Sequence, residues 1–529
     1  MRLPPPLVRY LRLAAASLAV LVFLWLVGRF CDPVFGFTSF LQLDSAHQSQ
    51  AIAEFRAYPV FVYPGVAPYD GLQYSQIAYH PLLRSPELAT AIDNLPYRAQ
   101  RILLPAAAWL LAAGQPAWIA QVYAVLNILC WIAMSALLWR ILPVNDARGF
   151  IAWVGLLFSA GALSSVRFAL VDLPALVLLA AAVWNAERAR TRSAIGWLAA
   201  AALTRETSLL AAPGLVGRHP ESRATLLRNS SWILLAAAPL ALWLVYIRWR
   251  VGPLNHGIGN FAWPAVGFVG SWRHCLAALQ SSDPPVFAWS SLLALVGLTA
   301  QAAFVLARPR LADAWWRVGA AYSLLLLLLG PAVWEGFPVA ASRVLLPLNL
   351  ACNVLAQRTR APLAWLLACN LTVVAGLVAF KDIPTYQDAV ALFRSGRTAA
   401  VVKVGAGWFG PEQDSHSRWH WAGSRGRLDI FAWPPSSRVQ TGLVLKLRSM
   451  TPCIVRARAG DREIWRGPVA PALTIVRLPP LQVTGGHLEL ELESDSPPLL
   501  ENATPSARRL SFALYDPVVS ASEIPSSSQ

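Results

Sequence analysis

Long apolar segments alternate with short arginine-rich segments over the first 380 residues of this 529-residue chain. A helix that crosses a membrane needs about 20 predominantly apolar residues. The pattern predicts spans at 11–28, 117–139, 150–166, 168–187, 231–250, 286–307, 314–332, 344–357 and 361–380. With the two half-helices discussed next, the fold class is a polytopic α-helical membrane protein of about 11 helices.

The segment 194–217 admits two models, because it is apolar at both ends but carries Thr204, Arg205, Glu206 and Thr207 in its middle. It either crosses once with a buried Arg–Glu pair, or forms a hairpin of two short helices whose tip faces a water-filled cavity. The flanking arginines form five clusters, at 140–148, 188–192, 218–228, 308–310 and 358–360. Only the hairpin places all five on the cytoplasmic side, so the positive-inside rule favours it.

This topology puts the N-terminus in the cytoplasm and four segments on the outer side: 29–116, 251–285, 333–343 and everything after 380. The first outer loop, 29–116, is polar and long. Its apolar part, Ile102–Ala113, is too short to span and is expected to form a helix lying in the membrane interface.

A different pattern begins near residue 400, where short alternating segments are separated by Pro and Gly clusters. Period-2 segments at this spacing predict a β-sandwich. We therefore expect a membrane domain at 1–380, a connector at 381–399, an all-β sandwich at 400–519 and a disordered Ser-rich tail at 520–529. The predicted strands are 442–448, 453–459, 473–478, 487–492 and 510–514.

The amino-acid composition is typical of a membrane protein, and the motifs that are absent limit the reactions that it could catalyse. The chain is 56% hydrophobic and 14% charged, whereas soluble domains carry roughly 25% charged residues. The net charge of +16 comes from arginines between apolar spans, with no basic stripe interleaved with aromatics, so nucleic acid is not an expected partner. No P-loop, GxGxxG or GxSxG motif occurs, and no cysteine pair has metal-ligand spacing. Any group transfer should therefore use a donor already in the membrane.

Two carboxylates in the first loop are candidates for a general base. Asp70, flanked by Tyr69 and Gly71, follows a Pro- and Gly-rich turn, and Asp44 follows a short apolar segment. A simple Asx-turn or a helix cap would also explain them. Arg98 and Arg101 are three residues apart, so on a helix they would share a face and grip a lipid phosphate, or simply snorkel.

Polar residues at membrane depth are functional hypotheses by default. Arg205 is a candidate phosphate ligand that Glu206 would orient, unless the two merely pair with each other. The expected supporting residues are Tyr69, Gly71, Tyr97, Asp172, Thr204, Glu206 and Glu335, with Arg343 as a further phosphate ligand.

Four segments resemble the GT-C superfamily of bacterial membrane glycosyltransferases, which use polyprenyl-phosphate-linked sugars and include mannosyltransferases. The segments are 68–74 (PYDGLQY), 97–105 (YRAQRILLP), 203–207 (LTRET), and 330–335 (GPAVWE) with 343–347 (RVLLP). The C-terminal strands resemble a sandwich that some members append. The resemblance implies a GT-C-like membrane domain, inverting sugar transfer on the outer side, a first-loop acidic residue as base and basic residues that hold the donor phosphate.

The sequence thus predicts a glycosyltransferase of the bacterial inner membrane with a periplasmic sandwich. It would pass a sugar from a polyprenyl phosphate to a hydroxyl of a glycan, lipid or protein acceptor. No cofactor is assigned, and a divalent cation is left open. Two alternatives remain from other classes: a transporter or lipid-carrier flippase for envelope glycans, and a non-enzymatic scaffold for envelope assembly.

Overall fold

The computed structural model consists of a helical part and a C-terminal β part. It describes residues 5–31, 35–44, 47, 50–58, 60–63, 68–142, 144, 146–216, 223–254, 259–280, 286–335, 338–381, 399–409, 412–413, 417–433, 439–484, 486–501 and 507–523. The predicted connector 381–399, apart from its two end residues, lies outside them. Two compact units result. The helical unit comprises Met1–Arg29, Gln73–Gln115 and Val122–Ile383, and the sandwich unit comprises Phe30–Leu72, Pro116–Gln121 and Pro384–Gln529.

The helices follow the apolar segments closely. In chain order they are α1 Pro5–Gly28, α2 Ala53–Arg56, α3 Asp70–Ile77, α4 Leu88–Ala91, α5 Leu95–Arg98, α6 Leu103–Leu111, α7 Pro116–Ile141, α8 Ala147–Leu157, α9 Ala160–Arg167, α10 Asp172–Ala186, α11 Thr191–Thr204, α12 Arg223–Arg250, α13 Val266–Ala278, α14 Val286–Leu306, α15 Ala314–Leu328, α16 Pro331–Glu335, α17 Val339–Val344, α18 Leu346–Arg358, α19 Leu363–Cys369 and α20 Thr372–Val378. Short 3₁₀ helices cover Thr38–Leu41 and Glu206–Leu215.

Within the described residues, four helical segments are long and apolar enough to cross a membrane: Pro116–Ile141, Ala147–Arg167, Arg228–Arg250 and Val286–Leu306. Four shorter apolar helices accompany them, at Arg12–Gly28, Asp172–Ala186, Ala314–Leu328 and Leu363–Val378. The predicted helix in the first loop is present as α6. The segment 251–285, predicted as an outer loop, instead contains the 13-residue helix α13.

The segment 194–217 is a hairpin. Its first arm is α11 and its second arm is the 3₁₀ helix Glu206–Leu215. A 3₁₀ helix rises about 2.0 Å per residue and an α-helix about 1.5 Å, so ten and fourteen residues cover nearly equal lengths. The end of the second arm is fixed by Arg317, which donates to the carbonyl oxygens of Pro213 (2.7 Å) and Val216 (2.8 Å).

The open end of this hairpin lies beside several of the charged residues that flank the spans. Thr191 and Gly214 line one cavity with Glu187, Asp313 and Arg358. Arg358 pairs with Glu187 (2.7 Å) and with Asp313 (3.2 Å), and Arg148 donates to the carbonyl oxygen of Ala361. The two arms therefore return to the same end of the helical unit, which is what the arginine distribution predicted.

Buried amides connect the helices on the other flank of the unit. Asn370 donates to the Asn353 side chain (2.8 Å), Asn353 donates to Asn349 (2.6 Å), and Gln301 donates to the Cys369 carbonyl oxygen (2.6 Å). The Asn353–Asn349 bond lies within α18, and the other two bonds join α18 and α14 to the segment around α19. Side-chain hydrogen bonds between helices hold them together where lipid offers no hydrophobic driving force. They accompany the break between α19 and α20.

The β part is a sandwich of two antiparallel sheets. Its strands, numbered with two short first-loop strands, are β1 Leu43–Asp44, β2 Val62–Tyr63, β3 Ala399–Val404, β4 Glu412–Gln413, β5 Arg418–Ala422, β6 Arg425–Trp433, β7 Val439–Ser449, β8 Cys453–Ala459, β9 Arg462–Val469, β10 Thr474–Arg477, β11 Leu481–Val483, β12 His487–Ser494, β13 Leu499–Leu500, β14 Arg509–Leu510 and β15 Phe512–Glu523. One sheet has the order β10-β7-β15-β5-β4, with β11 also on β7, and the other has the order β3-β6-β12-β8-β9. Alternate residues of both sheets, among them Leu445, Val455 and Leu490, form one core.

Two features of the sandwich unit differ from expectation. The predicted disordered tail begins too early, because β15 continues to Glu523 and pairs Ser520 with Gly442 and Glu523 with Val439. Pairing with the long strand β7 satisfies backbone groups that a solvated tail would leave to water. The unit also includes first-loop residues. Phe35 packs edge-on against Phe431 (centroids 5.7 Å apart), and the Lys403 ammonium lies 5.0 Å from the Phe35 ring centroid.

Helix α9 packs closely against the backbone of Ser342 at Gly161, where only glycine fits. A Cβ on Gly161 would lie 2.5 Å from the carbonyl oxygen of Ser342, a backbone atom that cannot rotate away. We expect Gly161→Ala to destabilise the detergent-solubilised protein by about 1–3 kcal/mol, as overpacking does, measured as a fall in thermal midpoint. Gly196→Ala is the control, since no atom lies within 4 Å of its Cβ position. Equal midpoints for the two variants would contradict this packing.

Candidate functional site

Arg101 is a buried cation that follows α5 and is held by four side-chain hydrogen bonds. Its Nε and Nη2 donate to the two carboxylate oxygens of Glu206, at 3.0 Å and 2.7 Å. Nη2 also donates to the Tyr97 hydroxyl (2.8 Å), and Nη1 donates to the Tyr74 hydroxyl. Bidentate pairing with a carboxylate is the strongest geometry available to a guanidinium.

The surroundings of Arg101 favour its charged form. Burial disfavours the charge, but the Glu206 carboxylate and the hydrogen bonds it accepts outweigh burial, so the pKa of Arg101 is raised well above its usual value. The Tyr97 ring adds a cation–π contact, with its centroid 4.7 Å from the guanidinium carbon. Arg101 is therefore a fixed positive charge.

A second charged group lies at the tip of the hairpin. Arg205 pairs with Asp172, the first residue of α10, and its Nε donates to the Thr207 hydroxyl (3.1 Å). The other carboxylate oxygen of Asp172 lies 3.8 Å from Nη1 of Arg343. The Asp172 side chain is 1% exposed, and those of Arg205 and Arg343 are 12% and 13% exposed. One buried carboxylate is thus shared by two arginines.

The structure does not show the alternative in which Arg205 and Glu206 simply pair with each other, because Arg205 pairs with Asp172 and Glu206 pairs with Arg101. Arg205 has extended backbone angles (φ −155°, ψ 121°) between the two arms. Successive side chains along extended backbone point to opposite faces, so Arg205 and Glu206 face different ways. Arg205 accordingly binds Asp172, and Glu206 binds Arg101, so the two neighbours belong to two different ion pairs.

Arg98 and Arg101 do not share a helix, although both guanidinium groups lie over the rings of Tyr74 and Tyr97. Helix α5, capped by the Asn94 side chain, ends at Arg98, and Arg101 lies beyond it. Arg98 forms a bidentate pair with Asp93, at 3.1 Å and 2.8 Å. Asp93 is half exposed, so Arg98 is engaged at a more solvated place than Arg101.

The two candidate bases occupy different elements. Asp70 is the half-buried first residue of α3, preceded by half-buried Tyr69 and followed by buried Gly71. Asp44 is buried in the short strand β1, and one of its oxygens lies 2.8 Å from Nδ1 of His47. Asp70, for which an Asx-turn was the alternative explanation, thus begins a helix.

The two remaining sequence candidates differ in environment. Thr204 is buried at the end of α11, and its hydroxyl donates to the carbonyl oxygen of Ala200 in the same helix. Glu335 is exposed at the end of α16, next to buried Trp334.

Sequence reasoning missed three polar residues, one that contacts an arginine and two that support its neighbours. Tyr74 is buried and accepts from Arg101. The Tyr322 hydroxyl donates to the Thr207 carbonyl oxygen (2.8 Å), which supports the hairpin tip. The Asn260 side chain donates to the Tyr97 hydroxyl (3.3 Å). Only Tyr74 had a signal in the sequence, because it lies four residues after Asp70 in the same polar segment.

We call Arg101, Arg205, Arg343, Asp172 and Glu206 the arginine cluster. The cluster contains three guanidinium groups and two carboxylates, so positive groups outnumber negative ones within it. Charged groups among apolar helices favour a ligand of opposite charge, and phosphate is such an anion. Guanidinium groups suit phosphate because their planar N–H donors match its oxygens.

The carboxylates of the arginine cluster are already paired with arginines. Among the described residues, one group has metal-ligand proximity, namely Asp429, His487 and Glu489 of the sandwich. Arg427 lies 3.5 Å from Asp429 and 3.5 Å from Glu489 there, and its positive charge opposes cation binding.

Comparison with known proteins does not identify a family for this chain. No protein-family model matches the sequence, and no curated protein matches it. Among solved structures, the cryo-EM structure of arabinosyltransferase EmbB from Mycobacterium smegmatis matches with 14% sequence identity and a TM-score of 0.24. The match covers 85% of this chain and 64% of that one, so the chain spans less than two thirds of its length.

The cross-pairing at the hairpin tip can be measured with double-mutant cycles. We expect coupling of about 1–3 kcal/mol for Arg101 with Glu206 and for Arg205 with Asp172, because each pair is in direct contact. The cycle for Arg205 with Glu206 should give a clearly smaller coupling. Each cycle uses Gln or Asn replacements and the free energy of unfolding. A dominant Arg205–Glu206 coupling would contradict the geometry.

Proposed function

We propose that the protein is a membrane glycosyltransferase that takes its sugar from a polyprenyl-phosphate donor. The observation that carries the proposal is the arginine cluster, in which three guanidinium groups come together among apolar helices. A lipid-linked phosphate brings an apolar tail and an anionic head together, so it suits a cationic site in a helical unit of this kind. The absence of a nucleotide-binding motif in the sequence points the same way.

In this proposal Arg205 and Arg343 hold the donor phosphate, with Arg101 as the fixed charge behind them. Positive charge beside the phosphate stabilises the leaving group as the bond from the sugar to phosphate oxygen breaks. Asp172 and Glu206 fix the guanidinium planes, and Tyr74 and Tyr97 fix Arg101. Arg98 forms a bidentate pair with Asp93 outside the arginine cluster and is not assigned to the phosphate.

Asp70 is the proposed general base, which removes the proton from the acceptor hydroxyl as that oxygen attacks the sugar. Asp70 and Tyr74 are four residues apart in α3, and positions four apart share a helix face. Asp44 is the second choice, held by His47. Direct displacement by the acceptor inverts the configuration at the sugar carbon.

The proposed location is the bacterial inner membrane. The end of the helical unit that carries Arg148, Arg317 and Arg358 would lie in the cytoplasm. The arginine cluster and the sandwich would then face the periplasm. The acceptor is a hydroxyl of a glycan, a lipid or a protein. Asp172 and Glu206 are engaged by arginines, so the mechanism needs no metal ion at the arginine cluster.

The phosphate-binding role predicts a selective loss of transfer. Arg343→Gln should lower kcat/KM for a purified polyprenyl-phosphate sugar by about 10²–10³, as loss of one charge-stabilising donor does. Arg188→Gln removes an equal charge from an exposed arginine that stacks on Trp184 and should leave transfer within about twofold of wild type. Equal activities for folded samples of both variants would exclude Arg343 from donor binding.

The general-base role predicts a loss in kcat rather than in binding. Asp70→Asn keeps the shape of the side chain but cannot take a proton, so kcat should fall by about 10²–10⁴ while KM for the donor changes little. Asp44→Asn should cost much less. Transfer by Asp70→Asn at the wild-type rate would remove Asp70 from the mechanism, and a large loss in Asp44→Asn alone would assign the base to Asp44.

A further inference from the structure

A polar cavity opens in the sandwich at the charged outer side of β6, β8 and β12. Strand β12 alternates glutamate and leucine, so Glu489 and Glu491 share one side of the sheet while Leu490 and Leu492 enter the core. In register, Glu491 lies between Arg427 of β6 and Arg458 of β8. Acidic and basic side chains therefore alternate across neighbouring strands.

The cavity has a volume of about 370 Å³, within the range of small-molecule sites, roughly 300–1,000 Å³. Arginine and glutamate side chains line the cavity together with alanine and glycine residues, whose small side chains leave backbone accessible. The lining residues are Ala406, Gly407, Arg425, Gly426, Arg427, Arg458, Gly460, Glu489 and Glu491. Gly407 and Gly460 have positive φ angles of 86° and 58°, which other residues rarely adopt.

The charges that line this cavity are only loosely paired. Arg427 lies 3.5 Å from Glu489, and Arg425 lies 3.9 Å from Glu491. Away from the cavity, Arg425 binds Glu493 at 2.7 Å and 2.9 Å. Buried Nη2 of Arg427 and buried Nε of Arg458 have no hydrogen-bond partner in the described part of the chain.

The backbone next to Arg458 is irregular. The pairing of β8 with β9 shifts register between Ala457 and Arg458. Bulges of this kind re-aim a side chain and are common beside functional sites. Arg425, Arg427 and Arg458 all line the cavity, so their accessible N–H groups can donate to a ligand that offers acceptor oxygens.

The chemistry of the cavity distinguishes between ligand classes. A phosphate or carboxylate would accept from the arginines but would be repelled by Glu489 and Glu491. A hydroxyl group both donates and accepts, so a polyhydroxyl ligand can satisfy the arginines and the glutamates together. We propose that this cavity binds a neutral sugar residue of an oligosaccharide.

This binding site is separate from the proposed sugar transfer and does not depend on it. The role belongs to the sandwich, and a protein inactive in transfer would still bind the oligosaccharide.

The test uses the full-length protein in nanodiscs on an array of neutral oligosaccharides, with sulfated and uronic-acid oligosaccharides in parallel. Wild type should bind at least one neutral oligosaccharide. Arg458→Gln and Glu491→Gln should each weaken that binding by about tenfold or more, the effect of losing one charge-assisted hydrogen bond. Arg466→Gln, an exposed arginine opposite Arg456 on the same sheet, is the matched control and should bind like wild type.

Three results would overturn the proposal: no neutral oligosaccharide bound, binding confined to acidic ones, or unchanged affinity in both cavity variants. Size-exclusion profiles and thermal midpoints equal to those of Arg466→Gln establish that each variant is folded. If one cavity variant fails this check, the other decides the outcome.

Discussion

Buried positive charge has to be paired inside an apolar helical unit, and this requirement shapes the region around the hairpin tip. Arg101 and Arg205 come from distant parts of the sequence, yet each needs a carboxylate at close range. Glu206 and Asp172 supply them, at the hairpin tip and at the start of α10. These two pairs thereby fix the first-loop segment, the hairpin and α10 to one another.

The hairpin makes this arrangement possible because its arms differ in helix type but nearly match in length. A ten-residue 3₁₀ arm returns the chain to the level at which the α-helical arm began. The turn between them is a single extended residue, Arg205, which sends successive side chains to opposite sides. One tip can thus contribute to two ion pairs.

Much of the architecture follows from patterns in the sequence. Apolar length predicted the long helices and the arginine distribution favoured the hairpin. Period-2 alternation located β7, β8, β10, β12 and the start of β15, but the other strands of the sandwich were not predicted. Side-chain pairing could not be read in the same way. Adjacency suggested an Arg205–Glu206 pair and spacing suggested a common face for Arg98 and Arg101, but pairing depends on backbone direction and on residues more than 100 positions away. The end of β15 was missed because its partner strand, β7, is distant in sequence.

The central claim is that the arginine cluster holds the phosphate of a lipid-linked sugar donor. A cryo-EM structure of the full-length protein with bound polyprenyl phosphate tests it most directly. The account predicts the phosphate oxygens within hydrogen-bonding distance of Arg205 and Arg343. A well-defined phosphate bound elsewhere, with the cluster unchanged, would contradict it.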